Sequence, residues 1–212
     1  LSSSSAASDV YKRQDALSIA AINGPSHTII SGDPTALEEF NAVCERDGIH
    51  IRSIAVDYAS HSAQVEPARE RMLGELADLK PSASRIPLYS TVGGAGADPL
   101  DTTTMTADYW YRNLREPVRF HDRVVELLAA GECTFVELSP HPVLAPAISD
   151  TLAQADGRAQ SAVVITLHRD TPAQDSLSTA LAQLHNLGHS PSWSALYPGA
   201  RSVDLPTYPF EH

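Results

Sequence analysis

The stretch Ile49-His50-Ile51-Arg52-Ser53-Ile54-Ala55-Val56-Asp57-Tyr58-Ala59-Ser60-His61 frames the rest of the chain. Apolar Ile49 and Ile51 alternate with polar His50 and Arg52, and the run 49–56 reads as a half-buried strand. After His61 the period changes, with Val65, Ala68, Met72, Leu76 and Leu79 falling at helical spacing. His61 therefore stands where a strand passes through a loop toward a helix, a place from which a side chain can reach a cleft. Imidazole is the side chain best suited to take up and return a proton near neutral pH. A loop histidine on the surface beside serines is the plain alternative, and this position alone does not choose between them.

Upstream, residues 17–22 and 28–31 read as two short strands joined by a turn at Asn23-Gly24-Pro25. Asp33-Pro34 then opens a helix, the carboxylate as N-cap and the proline in the first turn. Leu37, Phe40, Val43 and Cys44 form its apolar face, and Gly48 ends it. Strand, strand, helix, strand over residues 15–57 predicts most of a small ferredoxin-like unit. Downstream, strands are expected at 86–90, 134–138 and 163–167, and helices at 118–130 and 142–153. A last helix is marked by Leu177, Ala180, Leu181, Leu184 and Leu187. Helices alternating with strands over 58–196 imply an α/β core.

Composition bounds the function classes. The 212 residues are 42% hydrophobic and 19% charged, enough apolar surface for a core. A net charge of −11 argues against nucleic acid as a partner. No apolar run is long enough to span a bilayer, so no membrane partner is expected. Cys44 and Cys133 lack metal-site spacing and read as two reduced thiols.

Three further words flank the Tyr58-Ala59-Ser60-His61 motif. Leu17-Ser18-Ile19-Ala20-Ala21-Ile22-Asn23-Gly24-Pro25 precedes it. Tyr109-Trp110-Tyr111-Arg112-Asn113-Leu114-Arg115-Glu116-Pro117-Val118-Arg119-Phe120 follows, and then Glu137-Leu138-Ser139-Pro140-His141-Pro142-Val143-Leu144. In this order, from about Leu17 to the end, they resemble the C-terminal part of the malonyl/methylmalonyl transacylase-type acyltransferase domain of a modular type I polyketide synthase. The resemblance implies an incomplete acyltransferase fold: residues 58–196 as part of an α/β-hydrolase-like core, with 15–57 as part of a small ferredoxin-like subdomain. It implies a linker over 197–212 that packs back on the domain through Leu205, Tyr208 and Phe210. Residues 1–14 are set apart, because Asp9-Val10-Tyr11-Lys12-Arg13-Gln14 back-translates to a transposase end used in sequencing libraries, and they are expected to be a library scar.

The implied reaction is acyl transfer from an acyl-coenzyme A extender to a serine, and from the serine to the phosphopantetheine thiol of an acyl carrier protein. No cofactor would be bound by the domain itself. Coenzyme A arrives with the substrate, and phosphopantetheine is carried by the partner. Neighbouring ketosynthase and linker domains would be further partners, and the location cytoplasmic. His61 matches the family's catalytic base, and Asn113, in the stretch Tyr111-Arg112-Asn113-Leu114, the place from which a polar residue orients that histidine through its backbone or side-chain oxygen, although asparagine also suits a helix end. Tyr58 and Ser60 match the positions that shape the acyl pocket. The Tyr-Ala-Ser-His form resembles the methylmalonyl-selecting one, since Ser60 leaves room where a phenylalanine would fill it. Tyr58 could instead pack on the core. Arg112, Arg115, Arg119 and Arg123 would share a helical face at spacings of three and four and meet phosphates of coenzyme A or pantetheine, or else pair with Glu116 and Asp122 on a solvated face.

A serine nucleophile of this kind is expected on a Gly-x-Ser-x-Gly elbow, and the chain contains none. Gly188-His189-Ser190-Pro191-Ser192 imitates its opening, but Pro191 has no N–H to offer an oxyanion. The resemblance places the serine, the oxyanion hole and the carboxylate-gripping arginine upstream. Two other readings stand beside this one: a serine hydrolase or esterase on a similar core, and a non-catalytic module that docks carriers.

Overall fold

The computed structural model describes residues 16–54, 56, 58–93, 98–155, 161–201 and 203–206. Strand β1 (Leu17–Gly24) and strand β2 (His27–Gly32) pair antiparallel as a hairpin. Helix α1 (Pro34–Arg46) follows, and it starts as its sequence predicts: the Asp33 carboxylate accepts the N–H groups of Thr35 and Ala36 at 2.9 and 3.1 Å. It ends at Gly48, which turns at φ +68. Leu17, Phe40 and Cys44 are buried together, with Ile19, Ile30, Leu37, Ile49 and Ile51 packed around them. Burial of a side chain such as Phe40 stabilises by about 1.5–3 kcal/mol, so this small cluster is what holds the hairpin to its helix.

The strand expected over 49–56 is not formed by the described part of that run. Ile49 and Ile51 do lean on the hairpin core while His50 and Arg52 are exposed, so the alternation is real. But the hairpin is a two-stranded sheet, and among the described residues no neighbouring backbone offers residues 49–54 a ladder. Ala55 and Asp57 lie outside the described residues. The expected strand-strand-helix-strand unit is therefore a hairpin and a helix followed by an extended segment.

Beyond His61 comes a 3₁₀ turn (Ala63–Ala68) that runs into α2 (Arg69–Glu75). The single helix expected from Val65 to Leu79 is thus divided and shorter, with Pro67 inside the 3₁₀ part, where it cannot donate an N–H. After a second short 3₁₀ turn (Thr102–Thr104) the elements are α3 (Ala107–Arg115), α4 (Phe120–Ala130), β3 (Thr134–Glu137), α5 (Ala145–Gln154), β4 (Ala162–Ile165), α6 (Ala173–Asn186) and a one-turn α7 (Trp193–Leu196). Strands β3 and β4 are parallel and in register, Phe135 opposite Val163, with α5 as the crossover. Val124, Leu128 and Ile148 form the second core, against Phe120, Phe135, Leu152 and Val163. Residues 86–90, expected as a strand, form none, because their main chain is engaged elsewhere. The Leu88 carbonyl accepts from Leu100 N–H at 2.7 Å, and the Ser90 carbonyl from the Arg123 guanidinium at 2.6 Å.

The hairpin and the α/β part meet along β1. Val118, in the link between α3 and α4, donates its N–H to the Ala20 carbonyl at 2.8 Å and accepts from Ile22 N–H at 2.9 Å. Further along β1, a Cβ on Gly24 would lie 3.0 Å from both the Cβ and the carbonyl oxygen of Ala147 on α5, so any side chain there would push α5 away. In the tail, Leu205 is 79% exposed rather than packed on the domain, as an extended segment without a backbone ladder leaves it. Tyr208 and Phe210 lie outside the described residues.

One buried carboxylate organises the turn from β3 into α5. Glu137, 9% exposed, accepts the N–H groups of Val143, Leu144 and Ala145 at 2.7–3.0 Å and the Ser139 hydroxyl at 3.1 Å. These donors occupy the residues where a helix from 142 was expected, so α5 starts later, at Ala145. Burial pushes the Glu137 carboxyl up, but the four hydrogen bonds together outweigh it and hold it below the ordinary glutamate value of 4.5. A depressed folded-state pKa contributes stability that is complete above the ordinary value and is lost as pH falls through the lowered one. Glu137→Gln should cost about 2 kcal/mol at neutral pH. Urea midpoints measured from pH 7 down to 3 should show the loss narrowing as the pH drops below 4.5. An unchanged gap between variant and wild type across that range would rule out the charged cap.

Candidate active site

His61 lies on a sharp turn, and among the described residues it is the one non-glycine with a positive φ, +61°. A left-handed residue with a Cβ costs about 1–2 kcal/mol, so something must hold it there. Two neighbours do. Ser62, which is buried, donates its hydroxyl to the Ala59 carbonyl at 2.7 Å and accepts Gln64 N–H at 3.2 Å, closing the turn around His61. From the other side, His61 N–H donates to the Leu114 carbonyl at 2.8 Å, and the imidazole Nδ1 lies 2.8 Å from the Glu116 carbonyl oxygen.

Both carbonyls are available because α3 stops at Glu116-Pro117. A residue before proline is driven out of the helical region, and Glu116 is extended, at φ −81 and ψ 154. Its N–H still closes the helix on the Arg112 carbonyl at 2.8 Å, while its own carbonyl swings out to the imidazole. Val118 gives its N–H to β1, so the Leu114 carbonyl is left for His61. A carbonyl only accepts, so Nδ1 carries a proton, and in the neutral ring Nε2 is the nitrogen with the lone pair. No partner among the described residues occupies Nε2. This is the state a general base needs.

The orienting oxygen is thus the Glu116 carbonyl, three residues beyond the expected Asn113, which is half-buried on α3 and makes no hydrogen bond to His61. The signal that could have found it is the dipeptide Glu116-Pro117, because the proline stops the helix and leaves the carbonyls of its last turn without intrahelical donors. Ser62 and Glu66 were also passed over. Glu66 accepts Nε and Nη2 of Arg115 at 3.0 and 2.9 Å, tying the end of α3 to the 3₁₀ turn beyond His61. A half-exposed pair of this kind is worth under about 1 kcal/mol, so its effect is geometric.

The arginines do not share a helical face. Pro117 divides them, leaving Arg112 and Arg115 on α3, Arg119 at the start of α4 and Arg123 within it. Arg112 holds both oxygens of Glu116, at 2.7 and 3.3 Å, and Arg123 holds Glu126 at 2.6 Å. Arg119 reaches Asp122 only at 3.4 Å. Hydrogen bonding from Arg112 first, and from Gly93 N–H with it, keeps the Glu116 carboxyl below the ordinary range against the opposing effect of burial. Tyr58 is 68% exposed, so it does not pack on the core, and Ser60 is half-buried beside His61. A cleft of about 330 Å³ lies beside Ser62 and Gln64, against Ser18 and Asp33, and includes none of Tyr58, Ser60 or His61. Ser190 sits beyond the end of α6, 3.0 Å from His185 Nδ1 and exposed, and Gly188 at φ +90 terminates that helix rather than starting one. Among the described residues no group of histidine, cysteine and carboxylate side chains could hold a metal, and no helix is long and apolar enough to cross a membrane.

Comparison with known proteins gives the family and the fold. The acyl transferase domain family matches residues 3–191. The spectinabilin polyketide synthase system protein NorA' of Streptomyces orinoci is 49% identical over 202 residues, covering 94% of this chain and 5% of that protein. Erythronolide synthase EryA2 of Saccharopolyspora erythraea is 43% identical over 198 residues, covering 93% of this chain and 6% of its own. The acyltransferase domain from module 8 of the salinomycin polyketide synthase superposes with a TM-score of 0.83 at 40% identity, over 90% of this chain and 44% of that one. A loading acyltransferase from the avermectin modular polyketide synthase gives 0.75 at 33% identity, over 84% and 56%. The chain belongs to the acyl transferase domain family, among the acyltransferase domains of modular type I polyketide synthases, whose mixed α/β fold it shares. It spans a small fraction of the curated relatives and about half of the solved domains.

Asn113→Ala should leave His61 in its Nδ1–H form, because the acceptor is a main-chain carbonyl three residues away. Imidazole nitrogen chemical shifts read the tautomer directly. A variant showing the Nε2–H form, or a mixture, would restore Asn113 as the orienting residue.

Proposed function

We propose that this chain supplies the general base of a two-step acyl transfer, and that the base is His61. The single observation behind this reading is the Nδ1 contact with the Glu116 carbonyl, which leaves Nε2 as an acceptor on a turn closed from both sides. In the first step the hydroxyl of a serine outside these 212 residues attacks the thioester carbonyl of an extender acyl-coenzyme A. Nε2 takes the hydroxyl proton, the C–S bond breaks, and that proton passes to the coenzyme A thiolate. In the second step the pantetheine thiol of an acyl carrier protein gives its proton to Nε2 and attacks the acyl-serine. The C–O bond breaks and the proton returns to the serine oxygen. Coenzyme A is then substrate, phosphopantetheine belongs to the carrier, and the domain itself holds no cofactor. Of Arg112, Arg115, Arg119 and Arg123, Arg119 has the longest carboxylate contact, 3.4 Å to Asp122, and is the one proposed to meet a phosphate.

In this reading the β1–β2–α1 unit is part of a small ferredoxin-like subdomain, the elements from the 3₁₀ turn to α7 are part of an α/β-hydrolase-like core, and residues 197–212 are a linker beside neighbouring synthase domains, the ketosynthase among them. In an intact acyltransferase domain containing this chain, His61→Ala should abolish acyl-enzyme formation and leave the circular dichroism spectrum unchanged. Intact-mass measurement after mixing with acyl-coenzyme A is the assay. Near-native acylation of the variant would remove His61 as the base.

The extender is proposed to be methylmalonyl. Support comes from the small Ser60 beside His61 and from Tyr58, which is free of the core. One methyl is worth about 1–3 kcal/mol of discrimination, so these positions bias the choice without making it alone. Replacing Tyr58 by His together with Ser60 by Phe should raise the malonyl share several-fold when both thioesters compete at equal concentration, with the acylated species resolved by mass. A wild-type domain that loads mostly malonate would overturn this assignment and leave the acyl-transfer reading standing.

A further inference from the structure

Glu116 meets its surroundings twice. Its main-chain carbonyl holds His61 Nδ1 at 2.8 Å. Its carboxylate is gripped by Arg112 Nε at 2.7 Å and Nη2 at 3.3 Å, and by Gly93 N–H at 3.1 Å. The Arg112 fork comes from one turn back on α3, and the Gly93 N–H from a segment 23 residues away in sequence. Gly93 turns at φ +80, and a Cβ there would come within 3.2 Å of Arg112 Nη2, so the loop reaches the carboxylate only as glycine.

The carbonyl that orients His61 has lost the support a helix would give it. Beyond Arg115 the chain is extended, and the Glu116 carbonyl belongs to no ladder. A peptide plane in that position can rock about ψ of Glu116 and φ of Pro117. Proline fixes the second. The first is bounded on either side by main-chain bonds, Glu116 N–H to the Arg112 carbonyl and Val118 to β1, and at Glu116 itself by whatever anchors its side chain on the same Cα. We propose that the Glu116 carboxylate, clamped by Arg112 and Gly93, is a positioning residue for the acyl-transfer base: it holds the carbonyl that fixes the His61 tautomer. This rests on the reading of His61 as the base, and it adds a role for three residues that touch neither substrate nor the reacting atoms.

The Arg112–Glu116 contact is in part a bidentate pair, which lysine cannot reproduce. A graded series follows from that. In wild type, His61 nitrogen shifts in the 212-residue chain should report a single Nδ1–H form. Glu116→Ala should give a mixture of the two tautomers, Arg112→Lys a smaller admixture, and Gly93→Ala, which disturbs the clamp without removing a charge, a result between wild type and Glu116→Ala. In the intact domain, the same order should appear in acylation, with kcat falling about ten- to a hundredfold for Glu116→Ala and KM for the acyl-coenzyme A unchanged. A purely structural role would instead lower the melting temperature and leave the tautomer alone. Should Glu116→Ala fail to fold, Glu116→Gln and Gly93→Ala carry the same test. A pure Nδ1–H tautomer and wild-type kcat in the folded variants would overturn the proposal. Residual acylation in His61→Ala would instead show that the reading beneath it had failed.

Discussion

The interruption of a helix at Glu116-Pro117 is the constraint on which the rest of the structure depends. Had α3 run on into α4, the carbonyls of Leu114 and Glu116 would have been consumed inside one helix. Because it stops, those two carbonyls receive the main chain and the ring of His61, and Val118 exchanges two hydrogen bonds with β1. One break therefore sets the candidate base, docks the hairpin on the α/β part, and divides the arginines that a continuous helix would have aligned.

The energetics are distributed to match. Two small apolar clusters, around Phe40 and Cys44 and around Val124, Leu128 and Ile148, carry the hydrophobic stabilisation of the two parts. Polar groups do the aiming. Asp33 starts α1, Glu137 holds the turn into α5, and Ser62 closes the turn at His61, each a side-chain oxygen taking or giving hydrogen bonds to main chain that a helix or sheet leaves over. The strained φ of His61 fits this pattern, because the conformation persists where contacts on both sides over-determine it. A carbonyl can only accept, so the Glu116 oxygen fixes which imidazole nitrogen of His61 carries the proton in the neutral ring.

Where local signals were enough, the sequence was legible. The Asp33-Pro34 start, the Gly48 stop, the helices α4 and α6 and the strands β3 and β4 all stand within a few residues of their expected places, although Leu177 and Leu187 of the expected apolar face of the last helix are exposed. Segments 49–54 and 86–90 were misread because alternation and β-propensity record only how a residue suits a sheet, and a strand also needs a neighbouring backbone. The first finds no ladder, and the second spends its carbonyls on Leu100 and Arg123.

The order of motifs in the sequence determined by itself the family, the candidate base His61 and the absence of a Gly-x-Ser-x-Gly elbow within these residues. It determined them because short words at fixed spacing encode turns and caps that form locally. Tertiary structure alone decided which oxygen meets Nδ1, that Arg112, Arg115 and Arg123 answer to carboxylates, and that Gly93 reaches across to Glu116. Those contacts join residues 23 to 55 positions apart, for all but the Arg112 and Arg123 pairs, and their partners are set by where a proline stops a helix and how the freed chain packs.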